Sequence, residues 1–203
     1  AKCIQKEEGL TVYSCQGTPV DSVKLALNQF LDRRPDIVLS GINHGSNSSA
    51  SVVYSGTMAA AMEGAVNTIP SAGFSLLSYK PDADFSGAQK IVKKIISNMI
   101  DNGLEAGVCL NVNIPDVEYK NIRGMKVCRQ TRGYWREEFI KRTDPFQGDY
   151  YWLTGYFHNL EEMAKDTDET ALKNNFVSIV PVNIDLTAYK SIPVLQKWNL
   201  NSL

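Results

Sequence analysis

A polar loop near residue 45 contains the first side chains that could do chemistry. Residues 43–47 read Asn-His-Gly-Ser-Asn and follow an apolar run. The carboxamide oxygen of Asn43 can ligate a hard cation, and its NH₂ group can donate to an anion. Gly45 lets the backbone approach a ligand closely. His44 can act as a general acid, but a single loop histidine is more often a plain polar residue, and both hypotheses stay open here.

A second candidate is the sequence Tyr-Ser-Gly-Thr at 54–57, directly before an alanine-rich helical pattern. The free N–H groups of a helix start, two hydroxyls and Gly56 make a small cradle for an anion such as phosphate. The alternative is that Ser55 or Thr57 merely caps the helix. The context is not Gly-x-Ser-x-Gly, which disfavours a serine-hydrolase triad built on Ser55.

Composition excludes several classes of protein. The 203 residues carry a net charge of -1, which disfavours a nucleic-acid polymer as partner. No apolar run approaches the ~18 residues of a membrane span, so we expect no membrane partner. The four cysteines contain no Cys-x-x-Cys pair, and with two histidines this excludes a zinc site of standard spacing. We interpret the cysteines as reduced thiols and predict a cytoplasmic protein.

Strand and helix patterns alternate through the first half of the chain. Strands are predicted at 10–15, 36–42, 69–76 and 108–114, and helices at 20–31, 57–66 and 84–102. This alternation predicts an α/β fold with a parallel sheet. The continuous apolar run at 36–42 is typical of a strand buried on both faces. Ligands bind at the carboxyl ends of such strands, which is where the loop 43–47 begins.

The pattern changes after Pro115, so we divide the chain into 1–115, an α/β core, and 116–203, a β-rich extension. Strands are predicted at 122–128, 150–157 and 176–187, with Pro181 indicating an edge or bulged strand. A short terminal helix is predicted from Pro193. Nine of the 19 aromatic residues fall between Tyr134 and Phe157. Either they pack a local hairpin or they form a subunit interface, which we favour.

Three ordered motifs resemble the SurE family of stationary-phase survival proteins. They are residues 17–21, 34–47 and 54–64, and residues 110–115 and 182–189 also look like the family. The resemblance covers nearly the whole chain from Leu10 to Tyr189. It implies a three-layer Rossmann-like domain with a mostly parallel sheet and a swapped β-rich C-terminal extension. It also implies dimers or tetramers and a metal-dependent phosphohydrolase acting on nucleoside 5′-monophosphates or small phosphate esters.

The resemblance implies particular roles as well. Asn43 matches the metal-ligating asparagine of the family, whose cofactor is Mg²⁺ or Mn²⁺. Ser55, Gly56 and Thr57 match the segment at the phosphate pocket. The active-site loop of the family corresponds here to His44, Gly45 and Asn47.

The sequence departs from the family at the principal metal ligands. The family begins with an Asn-Asp-Asp-Gly segment, and no Asp-Asp pair occurs in these 203 residues. The first strand-helix part of the family domain also has no counterpart, so we expect either that such a segment lies upstream of Ala1 or that the chain is an incomplete form. Because hard cations need anionic oxygens, this departure motivates an alternative function. In that alternative the chain is a non-catalytic oligomerising or phosphate-binding module.

Overall fold

The computed structural model describes residues 1–200, apart from the side chain of Glu137. The strands are β1 (Lys2–Glu7), β2 (Leu10–Ser14), β3 (Val38–His44), β4 (Ser71–Leu76), β5 (Val108–Ile114), β6 (Gly124–Val127), β7 (Gly133–Thr143), β8 (Asp149–Asn159) and β9 (Phe176–Asn183). The α-helices are α1 (Pro19–Leu25), α2 (Gly56–Val66), α3 (Ser86–Asn102), α4 (Asp168–Lys173) and α5 (Ile192–Leu195). A π-helical turn, Ala26–Phe30, extends α1.

A five-stranded sheet in the order β3-β4-β5-β9-β6 forms the middle layer. Strands β3, β4 and β5 are parallel, and β9 runs antiparallel to β5. Side chains of α3 pack with Phe74 and Val112 on one face, whereas α2 packs with Cys109 on the other. The predicted α/β class and the mostly parallel sheet are therefore confirmed.

Strands β2 and β3 differ from the prediction. Strand β2 does not join the central sheet; it pairs with β1 in a separate antiparallel hairpin, where Tyr13 stacks on Phe30 at 4.0 Å between ring centroids. Strand β3 is an edge strand with β4 as its one neighbour in the sheet of residues 1–200, and Leu39 is 41% exposed. The prediction that 36–42 is buried on both faces was wrong, because an apolar run does not reveal which elements cover each face of its strand.

Strand β9 contains Pro181 at a position beyond the end of its shorter neighbour β6. The strand lies between β5 and β6, so the prediction of an edge strand was wrong for its first half. Strand β6 pairs only as far as Ile179, whereas pairing with β5 continues through Pro181. At Pro181 the strand therefore has β5 as its one neighbour. On the other side there is no strand to which a backbone N–H would donate, so the proline removes no hydrogen bond there.

The remaining C-terminal elements lie outside the sheet. Strands β7 and β8 form a long antiparallel hairpin, as the aromatic segment suggested, and residues 185–200 are exposed along their length. The division at 115/116 stays a prediction, and residues 201–203 of its second part lie outside the described residues. Within residues 1–200 no helix combines the length and apolar composition needed to cross a membrane.

Candidate active site

A row of polar side chains crosses the sheet near the carboxyl ends of the parallel strands. The register pairs Asn43 of β3 with Ser75 of β4, and Ser75 with Asn113 of β5. Asn113 is paired in turn with Ser178 of β9. Residues directly opposite each other on neighbouring strands point to the same face. This row lies on the face covered by α2, and three of its members are completely buried.

Asn47 fastens the loop after β3 onto this row. Its Nδ2 donates to Ser75 Oγ at 2.6 Å, and its backbone N–H donates to Asn113 Oδ1 at 2.7 Å. Its carbonyl oxygen accepts from Asn111 Nδ2 at 2.8 Å. Asn47 is 5% exposed, and its backbone N–H, its carbonyl and its Nδ2 are all used internally, so it holds the loop in place.

Asp168 forms a second clamp at the start of α4, and the sequence did not reveal it. Its fully buried carboxylate accepts the backbone N–H of Ser49 at 2.7 Å and that of Thr131 at 2.9 Å. The hydroxyl of Thr131 and the N–H of Glu169 donate to it as well. Three segments distant in sequence are thereby joined. The local signal was the N-cap Thr167 followed by two acidic residues.

Asn43 lies at the end of β3 with its amide group oriented by the backbone. Its Nδ2 donates to the carbonyl oxygens of His44 at 2.8 Å and Gly45 at 3.2 Å, which leaves Oδ1 as the group able to bind a ligand. Among the described residues no group of three or more His, Cys, Asp or Glu side chains is placed to hold a metal ion. One neutral oxygen does not make a site for Mg²⁺ or Mn²⁺, so the donors present here do not fit that cofactor by themselves.

His44 lies on the opposite face of the sheet from Asn43. Its Nδ1 is 3.3 Å from the carbonyl oxygen of Ser78, and its ring meets Phe85 edge-on at 4.9 Å between centroids. Consecutive residues of a strand point to opposite faces. The structure therefore does not bring the imidazole together with the polar row, and the general-acid hypothesis gains no support from the geometry.

The start of α2 lies over the same face as the polar row. Ser55 caps the helix, with its Oγ accepting the N–H of Met58 at 3.0 Å, as the capping interpretation predicted. The carbonyl of Thr57 is close enough to Gly73 that a Cβ there would lie 3.4 Å from it. Gly73 is two residues before Ser75 on β4. The N–H groups of Gly56 and Thr57 have no partner within the helix and can receive an anion there.

A pocket of about 280 Å³ adjoins the loop on its outer side. We call it the loop pocket; its lining residues are Ser46, Ser48, Ser51, Leu77, Tyr79, Trp135, Phe157 and Glu169. Gly45 has a φ of +83°, and a Cβ there would lie 2.4 Å from the Tyr79 ring. Glycine is therefore required where this ring closes on the loop. No local pattern in the sequence indicated Tyr79 or Glu169 as site residues.

The comparisons with known proteins decide the family. A family model described as survival protein SurE matches residues 1–137. The chain belongs to the SurE family. A protein named 5'-nucleotidase SurE from Christiangramia forsetii is 55% identical over 93% of this chain and 72% of its own length. One of the same name from Flavobacterium johnsoniae is 52% identical over 98% of this chain and 77% of its own.

A solved structure agrees with the SurE assignment. The SurE protein from Aquifex aeolicus superimposes with a TM-score of 0.76 at 36% sequence identity, covering 89% of this chain and 73% of its own. The family resemblance of the sequence motifs is thereby confirmed.

Burial raises the pKa of Glu169 above its ordinary value of 4.5, against the opposing effect of its hydrogen bond from Ser48. The folded state then binds more protons than the unfolded state, so this group destabilises the fold as pH rises from about 4.5 through the raised pKa. We expect the unfolding free energy of Glu169→Gln, relative to the wild type, to increase over that window and then level off. Denaturant titrations from pH 4 to pH 8 measure it, and a difference independent of pH would contradict it.

Proposed function

We propose that this chain is a phosphoric monoester hydrolase that removes phosphate from nucleoside 5′-monophosphates. Relatives that are 55% and 52% identical carry the name 5'-nucleotidase SurE, which supports the reaction class. The observation that carries the proposal at the level of residues is the start of α2. It begins over the same sheet face as Asn43 and the buried polar row.

In this proposal the chain's own residues bind and orient the phosphoryl group. The N–H groups of Gly56 and Thr57, with the Thr57 hydroxyl, donate to phosphoryl oxygens as negative charge builds up on them. Ser55 holds these donors in place through its cap to Met58. The hydrogen bonds of Asn47 hold the loop that follows Asn43 against the sheet.

Dependence on Mg²⁺ or Mn²⁺ is part of the proposal and is supported by the family resemblance. Asn43 Oδ1 is the ligand that the proposal assigns to this chain. A cation held in part by that oxygen would supply Lewis-acid polarisation of the phosphate and a more acidic bound water. Since the described donors do not complete a site, no step above is routed through the ion.

The test is phosphate release by the purified protein from nucleoside 5′-monophosphates and their 3′-isomers, with and without chelator. We expect release that prefers the 5′-isomer and is abolished by the chelator. The non-catalytic alternative predicts a different pair of results. Equilibrium dialysis would show phosphate binding that persists in the presence of chelator, and no phosphate would be released from any ester.

We also propose that the chain assembles with itself, as a dimer or tetramer, through the β7–β8 hairpin. Its exposed large side chains include Phe139 at 63%, Tyr151 at 62% and Trp152 at 62%. An isolated hairpin is marginal in water, and an exposed apolar surface of this kind marks an interaction site.

Deleting residues 136–149 is expected to shift the mass in solution towards that of the monomer, because it removes most of β7 and with it the antiparallel partner that orders β8. Phe139→Glu provides a milder version that keeps the chain length. Light scattering at several protein concentrations measures the mass, and an unchanged oligomer in both variants would refute assembly through the hairpin.

A further inference from the structure

The loop pocket contains a carboxyl group that the mechanism above does not use. Glu169 is half-buried, and Ser48 donates to its Oε1. Among the described residues Ser48 is the one donor to this carboxyl, so Oε2 remains available to a ligand. Burial raises its pKa, which agrees with a weakly hydrated surrounding where one hydrogen bond counts for more.

The chemistry of this pocket is unsuited to phosphate. Glu169 contributes an acidic group to the lining of the pocket, and none of the lining residues is basic. An anion would be repelled there, while the N–H groups at the start of α2 attract one. The pocket therefore takes the uncharged part of a substrate whose phosphate lies elsewhere.

The other walls favour a flat ring. Trp135 and Phe157 pack edge-to-face at 6.1 Å between centroids, and Tyr79 closes the side next to Gly45. The indole Nε1 of Trp135 donates to Ser51 Oγ at 3.1 Å, which fixes the orientation of that ring. Aromatic side chains bind nucleobases by stacking, with little preference among bases. Any preference for one base over another must then come from the carboxyl group of Glu169.

The position of the pocket agrees with this role. Gly45, which Tyr79 contacts, offers its carbonyl to Asn43 Nδ2 at 3.2 Å. Gly45 therefore lies against both Tyr79, a wall of the pocket, and the side chain of Asn43, which the proposal assigns to the reaction. The volume of about 280 Å³ is at the small end of ligand pockets, which hold about 300–1,000 Å³, and suits part of a nucleotide.

We propose that the loop pocket binds the nucleobase of the substrate and that Glu169 is a specificity-determining residue that favours bases presenting N–H donors, guanine above all. This inference rests on the proposed function. Guanine places two adjacent N–H donors on its pairing edge, and they can be accepted by Oε2 and by the lone pair that Ser48 leaves on Oε1. Adenine offers one amino group beside a ring acceptor, which leaves the carboxyl less satisfied.

The test compares kcat/KM of the full chain for guanosine and adenosine 5′-monophosphates and for ribose 5-phosphate. We expect the wild type to prefer the guanine nucleotide. Glu169→Gln should lower the guanine-to-adenine ratio about 10-fold, mainly through KM, because it removes a hydrogen-bond acceptor of charged type. Glu162→Gln replaces an exposed glutamate of the same segment and should leave the ratio unchanged.

The outcomes separate this inference from the proposed function. If the wild type releases phosphate from none of the three substrates, the proposed function fails. If it releases phosphate and Glu169→Gln lowers kcat/KM equally for all three, the base-binding role of Glu169 is refuted. Inhibition of the wild type by the free nucleosides needs no variant: guanosine should inhibit at lower concentration than adenosine, and the reverse order would overturn the proposal.

Discussion

Replacing Asp168 with alanine is expected to lower the free energy of unfolding by about 2–5 kcal/mol. The substitution leaves the buried N–H groups of Ser49 and Thr131 without an acceptor. Each unsatisfied buried donor costs about 1–3 kcal/mol. The carboxylate also joins the loop after β3 to the start of β7, so we expect the two segments to separate. Denaturant titration measures the stability loss.

Asp166→Ala is the matched control, two residues away. Its side chain is 67% exposed and pairs with Arg129 at 2.8 Å. Exposed ion pairs contribute about 0–1 kcal/mol, so the variant should lose no more than that. Equal losses in the two variants would show that Asp168 is not a clamp.

The second large effect is expected for Asn113→Ala. Asn113 Oδ1 accepts the N–H of Asn47, and its Nδ2 donates to Asn111 Oδ1 at 2.9 Å. Removing the side chain orphans the Asn47 N–H in a buried place, at about 1–3 kcal/mol. Because the loop that directly follows Asn43 is then released, we expect the position of Asn43 to be less well defined and kcat/KM for a nucleoside 5′-monophosphate to fall about 10-fold or more.

The exposed Asn98 on α3 supplies the control. Its side chain makes one hydrogen bond, from Nδ2 to the carbonyl of Lys94 at 2.8 Å, and alanine favours helix. Asn98→Ala should retain both stability and activity. Retention of full activity by Asn113→Ala, with only stability reduced, would refute the link between the polar row and catalysis.

Local periodicity was sufficient to predict most of the elements. The helix α3 and the strand β5 follow from patterns within 20 residues, and the helix ends at residue 102 as predicted, directly before Gly103 with its φ of +70°. The predictions that failed concern which strands lie next to each other. The edge position of β3 and the separate hairpin of β2 are set by which strands pair, and an apolar run carries no information about its partners.

The same limit applies to the candidate site. Asn43 and the residues at the start of α2 stand out because of their types and local context. Asp168 does not, because its hydrogen bond to Ser49 spans 119 residues of chain. That His44 and Asn43 lie on opposite faces of the sheet could have been predicted from the sequence, since adjacent residues of a strand alternate in direction. The predicted strand ended at residue 42, two residues before the end of β3, so that rule was not applied to Asn43 and His44.

The most direct test of the account is phosphate release from a nucleoside 5′-monophosphate by the wild type and by Asn43→Ala, measured side by side with added Mg²⁺. The account predicts release by the wild type and about a 100-fold lower kcat/KM in the variant. Asn98→Ala should match the wild type. Equal release by wild type and Asn43→Ala would contradict the placement of the reaction at the end of β3.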